Sequence, residues 1–438
     1  MKNYKQFFKN KKITVMGLGL LGRGVGDVAF LAESGADLTV TDLKSSTMLR
    51  PSLHKLKKYK NIKYVLGEHR LRDFQSCDLV LKSAGVPLDS IYIKEARKND
   101  IPIEMSATLF ALISKIPMIA ITGTRGKSTV THLIAHILQS AGKKIILGGN
   151  VLGISGLQLL KKVKNAKFAI FELDSWQLQG FGNNKISPSI SVFTTFFPDH
   201  MDYYKGSMEK YFSDKAHIFK YHKNKNLLIV GKQALPFIKK WGGKIKSKIL
   251  IPEGVLPKGW KFNLPGLHNE YNAMLAVEVA RRLGIGDVII KKALKNFKGV
   301  EGRLQFVKEV KGVKYYNDTT ATTPEATIAA LRALGKKKNI ILIAGGSDKG
   351  LNMNALVKEI SKYCKEVILL SGSGTKQIKN KIKNAAEANS LKKAIRGAQK
   401  LAAIEDIVLL SPAFASFGMF KNEYDRGSQF LSIVKELK

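Results

Sequence analysis

The run Ile119-Ala-Ile-Thr-Gly-Thr-Arg-Gly-Lys-Ser-Thr-Val130 constrains the fold more than any other stretch of the chain. An apolar strand enters a glycine-rich turn and leaves it through Lys127, Ser128 and Thr129 at the start of a helix. Gly123 and Gly126, flanking Thr124 and Arg125, let backbone N–H groups close around phosphate oxygens, and Lys127 brings a mobile cation. A hydroxyl of Ser128 or Thr129 can sit on Mg²⁺. Val130, Leu133, Ile134, Ile137 and Leu138 then recur at three- and four-residue spacing, so one helix face packs inward while the N-terminal dipole points at the phosphates. The strict form of the motif has glycine where this chain has Ile121. A nucleotide phosphate site is nevertheless the better reading than an ordinary strand-to-helix turn.

With 438 residues, the chain has room for about two to four domains. No run of about 18 uncharged apolar residues occurs, and MKNYKQFFKN lacks the apolar centre of a signal peptide. A soluble cytoplasmic protein without membrane insertion is expected. Cys77 and Cys364 lie in separate regions beside strand-like runs and read as packing residues rather than a disulfide or thiolate metal site. The formal charge of +39 points towards polyanions, but the lysines are scattered (Lys55, Lys57, Lys58 and Lys60; Lys161, Lys162 and Lys164; Lys336 to Lys338). Without a zinc knuckle, RNA-recognition signature or long basic tail, this reads as a lysine-rich solvated surface with weak, salt-sensitive affinity for polyanions and no specific nucleic-acid partner. No dimer helix or apolar stripe stands out, so a monomer is expected.

Three α/β blocks follow one another. The first opens with the strand Lys12–Met16, the loop Gly17-Leu-Gly19-Leu20-Leu-Gly22, a helix to about residue 33 and a strand ending at Asp42. This is a dinucleotide-type βαβ pattern, with an acid about twenty residues beyond the glycines. A further strand, Leu79–Ser83, runs into the loop Ala84-Gly85-Val86-Pro87, at the strand edge where open α/β sheets bind ligands. The second block starts near residue 106, with strands at Ala166–Leu173 and Ile190–Thr195 and a Lys-rich stretch, roughly 221 to 248, of small strands and turns. After Pro265-Gly266 comes a helix carrying Ala273, Val277 and Ala280. From about residue 300, strands at Val313–Asn317, Ile340–Ala344, Val367–Leu370 and Ile407–Leu410 alternate with helices such as Glu325–Leu334.

Polar residues cluster just after the strand ends. In the second block these are Asn150, Glu172 and His200; Glu172 could hold Mg²⁺, and His200 a second ion or a ligand. Lys215 has nothing in its spacing to single it out. The third block offers Arg303, the pair Asn317-Asp318, Lys349 in Gly345-Gly-Ser-Asp-Lys349, and Ser411–Ser416. A cation among these is what phosphoryl chemistry needs as charge spreads over the transferred group, and the glycine-rich context favours Lys349.

The order of these motifs resembles the Mur ligases, ATP-dependent enzymes that add amino acids to the cell-wall precursor. The matching segments are Gly17-Leu-Gly19, Gly123–Thr129, Glu172-Leu-Asp-Ser-Trp-Gln-Leu, Asp199-His200-Met-Asp, Gly266-Leu-His-Asn269, Asn317-Asp318, Gly345-Gly346 and Ser411–Gly427. Within the family, Ser411–Gly427 points to the members that join D-glutamate to UDP-N-acetylmuramoyl-L-alanine. The resemblance implies a Rossmann-like UDP-binding domain over residues 1–105, a central ATP-binding domain over 106–300, and a C-terminal Rossmann-like domain over 301–438 that serves the amino acid and closes over ATP. It implies an acyl phosphate formed from ATP and attacked by the incoming amine. By the same resemblance, Lys127 and its neighbouring amides hold the ATP phosphates, and Thr129 and Glu172 serve Mg²⁺. Asn150 and His200 lie along the substrate and second-metal path, and Lys215 matches the lysine that becomes carbamylated and helps to place Mg²⁺. Asn272, Arg303 and Asp318 fall around the nucleotide, while Gly17, Gly19, Leu20, Asp42 and the Ser83–Gly85 loop match the UDP site. Lys349 and Ser416, with Phe417 and Glu423 nearby in sequence to the latter, match the amino-acid site.

The chain departs from the family pattern at four places. Thr320 replaces a lysine, Glu423 stands where a phenylalanine lines the amino-acid pocket, Asp174 where serine is usual, and Gly418 where aspartate is usual. A carboxylate at Glu423 opposes the charge of glutamate unless it is paired. A ligase of the same chemistry with another amino acid, or a sibling acting on folate or a later muramyl peptide, is therefore kept beside the D-glutamate reading. An NAD-dependent oxidoreductase leaves the phosphate loop and third block without a role, and a nucleic-acid-dependent ATPase rests on charge alone.

Overall fold

The computed structural model describes residues 4–151, 153–383 and 385–438. Among them, seventeen strands form three sheets. The first contains β1 (Lys12–Met16), β2 (Asp37–Asp42), β3 (Ile62–Leu66), β4 (Leu79–Lys82) and β5 (Ile103–Glu104), in the order β3-β2-β1-β4-β5 and parallel throughout. The second contains β6 (Met118–Thr122), β7 (Ile145–Gly149), β8 (Phe168–Glu172), β9 (Ile190–Phe193), β10 (Leu227–Val230) and β11 (Lys248–Leu250), ordered β11-β10-β9-β6-β8-β7 and also parallel. In the third, β12 (Gln305–Val310) pairs antiparallel with β13 (Val313–Asn317). β14 (Ile340–Gly345), β15 (Cys364–Leu370), β16 (Ala385–Ala388) and β17 (Ile407–Leu410) complete it in the order β12-β13-β17-β14-β15-β16.

The expected α/β class is what the chain adopts, and the reason lies in its strands. β6 and β14 are buried at every residue, as parallel strands covered by helices on both faces must be. Helix starts are fixed by side-chain caps: Ser45, Asp174, Ser207, Ser390 and Asn422 each accept a first-turn amide. The hairpin β12–β13 turns through Lys311 and Gly312, both at positive φ, the geometry that a two-residue hairpin needs. Between residues 221 and 248 the expected small strands are β10 and the start of β11, with a helix, Leu235–Trp241, between them.

The chain divides into two compact units, residues 1–252 with 275–290 and residues 253–274 with 291–438. The first holds two sheets over one continuous apolar core that runs from Phe8 to Ile238. Asp27, on the helix Arg23–Glu33, joins the blocks within this unit: its Oδ1 accepts Ser106 Oγ at 2.7 Å, Ser155 Oγ at 2.6 Å and Leu157 N at 3.2 Å. In the second unit, helices sandwich the third sheet, with Leu331, Leu356 and Ile360 on one side and Ala394, Ile395 and Phe430 on the other. No helix among the described residues is long and apolar enough to cross a membrane.

Candidate active site

In the second sheet the C-terminal ends of β6, β7, β8 and β9 bring most of the second-block candidates together. Gly123 (φ 137°) leaves β6 in a conformation closed to other residues, and a Cβ there would run into Thr194 and the backbone of Thr195. The turn is held from β9: Thr124 N donates to Thr195 O at 2.7 Å, Arg125 N to Thr195 Oγ1 at 2.9 Å, and Thr194 Oγ1 to Arg125 O at 2.5 Å. Gly126, left-handed, opens the helix Lys127–Ser140, whose first amides face the turn. Lys127 Nζ lies on Thr124 O at 3.1 Å.

Glu172, at the end of β8, is 2 % exposed and accepts the Ser128 hydroxyl at 2.6 Å. The hydroxyl that meets this carboxylate is therefore that of Ser128; Thr129, the next residue along, is buried. Asn150, after β7, donates its amide N–H to Glu172 O at 2.7 Å while its side-chain oxygen accepts Arg23 Nη1 at 2.6 Å. Lys215 is no surface lysine. It is 1 % exposed, donates to Gly123 O at 3.0 Å and lies 4.8 Å from the centre of the Tyr211 ring. Burial, reinforced by the positive charge of Lys127, lowers its pKa to about 7 against the pull of Asp174, Asp199 and Asp214. His200, at φ 55°, packs against Trp176 at 4.6 Å between ring centres, with Nε2 3.8 Å from Asp199, which also pairs with Arg125 at 3.6 Å.

The first sheet gathers its candidates in the same way. Gly17 and Gly19 take positive φ after β1, and Asp42, at the end of β2, accepts the Gly19 amide at 3.0 Å and the Lys44 amide at 2.9 Å. Ser83 Oγ donates to Gly17 O at 2.5 Å, so the loop after β4 leans on the glycine turn. Leu20 and Gly85 are exposed beside these.

In the second unit Asp318, following β13, accepts Leu304 N at 2.9 Å and Ser411 Oγ at 2.8 Å, with the charge of Arg303 close by. Burial outweighs all three and raises its pKa to about 7. Asn272 is buried on the helix Leu267–Arg282. The Gly345–Lys349 loop pairs with the segment after β17 through Ser347 and Ala415, and Ser347 Oγ donates to Phe417 O at 2.6 Å. This brings Lys349, which bonds Thr322 at 3.1 Å, into one loop cluster with buried Ser416 and exposed Phe417. Glu423 begins the helix Glu423–Lys435, its carbonyl accepting Thr319 Oγ1 at 2.8 Å.

Residues 11–104 match the family model described as "Mur ligase MurD-like, N-terminal domain", residues 121–254 "Mur ligase middle domain", and residues 302–414 "Mur ligase, glutamate ligase domain". The chain is 36% identical over 464 residues to the UDP-N-acetylmuramoylalanine–D-glutamate ligase of Roseiflexus sp. (strain RS-1), covering 97% of this chain and 98% of that protein. It is 37% identical over 459 residues to the ligase of the same name from Borreliella burgdorferi (strain ZS7), with 98% of each covered. The chain belongs to the Mur ligase family. Among solved structures it is similar to UDP-N-acetylmuramate-alanine ligase MurC of Thermotoga maritima (TM-score 0.63, 20% identity, 97% of this chain and 99% of that one). It is also similar to the MurF ligase of the same organism in complex with ADP (TM-score 0.62, 16% identity, 99% and 96%). At such identities these two speak for the fold alone.

Within this Mur ligase, three departures acquire a local reason. Asp174 caps the helix Ser175–Asn183, accepting Gln177 N at 2.8 Å while Gln177 Oε1 accepts Asp174 N. Thr320 turns its hydroxyl onto Gly302 O at 2.9 Å, bracing the loop that carries Arg303. Glu423 lies near enough to the buried Arg426 guanidinium to favour its charge, although burial still lowers that group to about 10. Sequence reading missed Arg23, Asp27, Lys82 and Arg426. The signal for Lys82 was present, a cation closing the apolar run Leu79-Val-Leu. The others meet partners far along the chain: Arg23 meets Asn150, Asp27 meets Ser106 and Ser155, and Arg426 meets Thr319.

Proposed function

We infer that this Mur ligase joins D-glutamate to UDP-N-acetylmuramoyl-L-alanine with hydrolysis of ATP to ADP and phosphate, in the synthesis of the peptidoglycan precursor. The observation that carries the reading is identity above one third, along almost the whole chain, to relatives named for that reaction. The proposed division of labour assigns the uridine nucleotide to residues 1–105, ATP to 106–300 and the incoming amino acid to 301–438. Gly17, Gly19, Leu20, Asp42, Ser83 and Gly85 are assigned to the UDP group; the phosphate loop Gly123–Thr129 to the ATP phosphates; Asn272, Arg303 and Asp318 to the rest of that nucleotide; Lys349, Ser416, Phe417 and Glu423 to the amino acid.

The alanine carboxylate attacks the γ-phosphorus, ADP leaves, and the resulting acyl phosphate is attacked at carbon by the amine, which loses a proton as inorganic phosphate departs. Lys127 and the loop amides offer fixed positive character to the phosphoryl oxygens as charge spreads over them. Asn150 and His200 orient the acceptor. The Ser128–Glu172 pair suits Mg²⁺, which is commonly held by one or two carboxylates together with substrate phosphates. Glu172 and Ser128 would hold the ion, with Thr129 alongside and His200 and a carbamylated Lys215 as further ligands; when bound it neutralises phosphate charge. A lowered pKa leaves a neutral Lys215 amine available for carbamylation near neutral pH. A cytoplasmic monomer completes the proposal.

The test is phosphate release from ATP with UDP-N-acetylmuramoyl-L-alanine and Mg²⁺ across amino acids of both hands. Stimulation by D-glutamate alone supports the reading. Stimulation by a different amino acid keeps the chemistry and moves the specificity, the outcome that Glu423 makes worth testing. Lys127→Ala is expected to abolish turnover in a chain that still folds, and retained turnover would remove the phosphate loop from the mechanism.

A further inference from the structure

Lys82 is the last residue of β4 and is 3 % exposed, an unusual place for a lysine. Its side chain curls under the loop that follows: Nζ donates to Val86 O at 2.9 Å, Ala84 O at 3.3 Å and Ser83 O at 3.4 Å. A trans peptide holds its N–H opposite its C=O. Drawing the Ser83 and Ala84 carbonyls onto the ammonium ion therefore points the amides of Ala84 and Gly85 away from it. Val86 N–H closes the turn on Ser83 O at 3.1 Å, whereas among the described backbone hydrogen bonds the amides of Ala84 and Gly85 make none. The turn is anchored to the end of β1 by Ser83 N on Met16 O at 2.9 Å, and to the glycine turn after it by Ser83 Oγ on Gly17 O. A Cβ at Gly17 would come within 2.7 Å of that hydroxyl, so the two loops fit only with glycine there.

We propose that Lys82 is a positioning residue for the uridine nucleotide, its buried ammonium ion gathering three carbonyls so that the Ala84 and Gly85 amides face an anionic phosphate group. The proposal rests on the assignment of the first sheet to UDP. Two N–H groups without a backbone partner, on a half-buried turn whose Gly85 is exposed and backed by a fixed positive charge, form an anion cradle of the kind that successive backbone amides make. Asp174 and Asp214 favour the charged form of Lys82 and Arg97 opposes it; burial is the larger effect and places the group at about 8, leaving the ammonium form predominant at neutral pH.

The experiment titrates the full chain with uridine, UDP and ATP separately, by calorimetry and ligand-observed NMR, in the wild type and in Lys82→Met and Lys82→Gln. Loss of a charge-assisted arrangement is expected to weaken UDP binding by about tenfold or more in Lys82→Met, with uridine and ATP unchanged. Lys82→Gln, which keeps donors but no charge, is expected to fall between. An unchanged UDP affinity, or an equal loss for uridine and UDP, overturns the proposal, since a merely structural lysine would not single out the phosphate-bearing ligand. If Lys82→Met loses ATP binding as well and so has not folded, the uridine-to-UDP ratio of Lys82→Gln decides by the same criterion. A wild-type chain that does not bind UDP overturns the underlying assignment, and the proposal with it.

Discussion

His222, Lys82 and Lys215 are buried ionisable side chains whose hydrogen-bond partners are uncharged oxygens. His222 is 3 % exposed, with Nε2 2.9 Å from Ser191 Oγ and Nδ1 2.8 Å from Ser247 Oγ. Burial pushes its pKa down to about 4, below the ordinary histidine value near 6.5. Between these values the unfolded chain binds a proton that the folded chain refuses, so stability is full above about pH 6.5 and falls as the pH drops towards 4. The loss from His222 is at most about 3 kcal/mol, and His217, lowered to the same range, adds to it. Melting curves from pH 7 to 4 should show this slope, and His222→Gln should flatten part of it; an unchanged slope would mean that His222 is protonated in the fold.

At the scale of elements, the ends of strands and the starts of helices decide what the site residues can do. Gly123→Ala puts a methyl group into Thr194 and Thr195 at a φ that L residues rarely adopt, so the phosphate loop must open. Loss of ATP binding with little change in UDP binding is the expected result of paired titrations. The contact between helix Arg23–Glu33 and the loop after β7 has its own test. Asp27→Ala leaves the hydroxyls of Ser106 and Ser155 without their acceptor and the amide of Leu157 with Ser106 Oγ alone, and should destabilise the first unit by about 2–4 kcal/mol. Hydrogen exchange should quicken at Leu157 before it does in β6; uniform protection would show that the core alone fixes this loop.

For the whole molecule, the +39 charge is carried by side chains spread along the entire sequence. It should bring salt-sensitive retention by polyanions such as heparin that falls steeply between about 50 and 200 mM salt and shows no sequence preference with nucleic acids. Affinity for one oligonucleotide that persists at the higher salt would instead mark a specific site. The two-unit organisation also bears on unfolding, since a chain with two compact units need not melt as one transition. Excess UDP should raise the melting of the unit that carries Gly17, Asp42 and Ser83, in proportion to the logarithm of its concentration.

The glycine turns after β1 and β6 and the central parallel strands were legible because each is local: an apolar run of strand length, glycines at fixed offsets, and a helix period beyond them. The strands β3, β12 and β16 were not, since edge strands are only half buried and lack such a run. Lys215 shows the other limit. Nothing in its spacing singles it out, and the family resemblance alone marked it, yet the fold buries its amine on the Gly123 carbonyl 92 positions earlier. The sequence by itself determined the α/β class, the order of the blocks and the glycine turns at the strand ends, because backbone propensity and side-chain period act over a few residues. Only the tertiary structure decided that Ser128 meets Glu172, that Asp42 and Thr320 bind backbone, and that Lys82 lies beneath a turn. Those outcomes depend on desolvation and on hydrogen-bond partners brought together from distant parts of the chain.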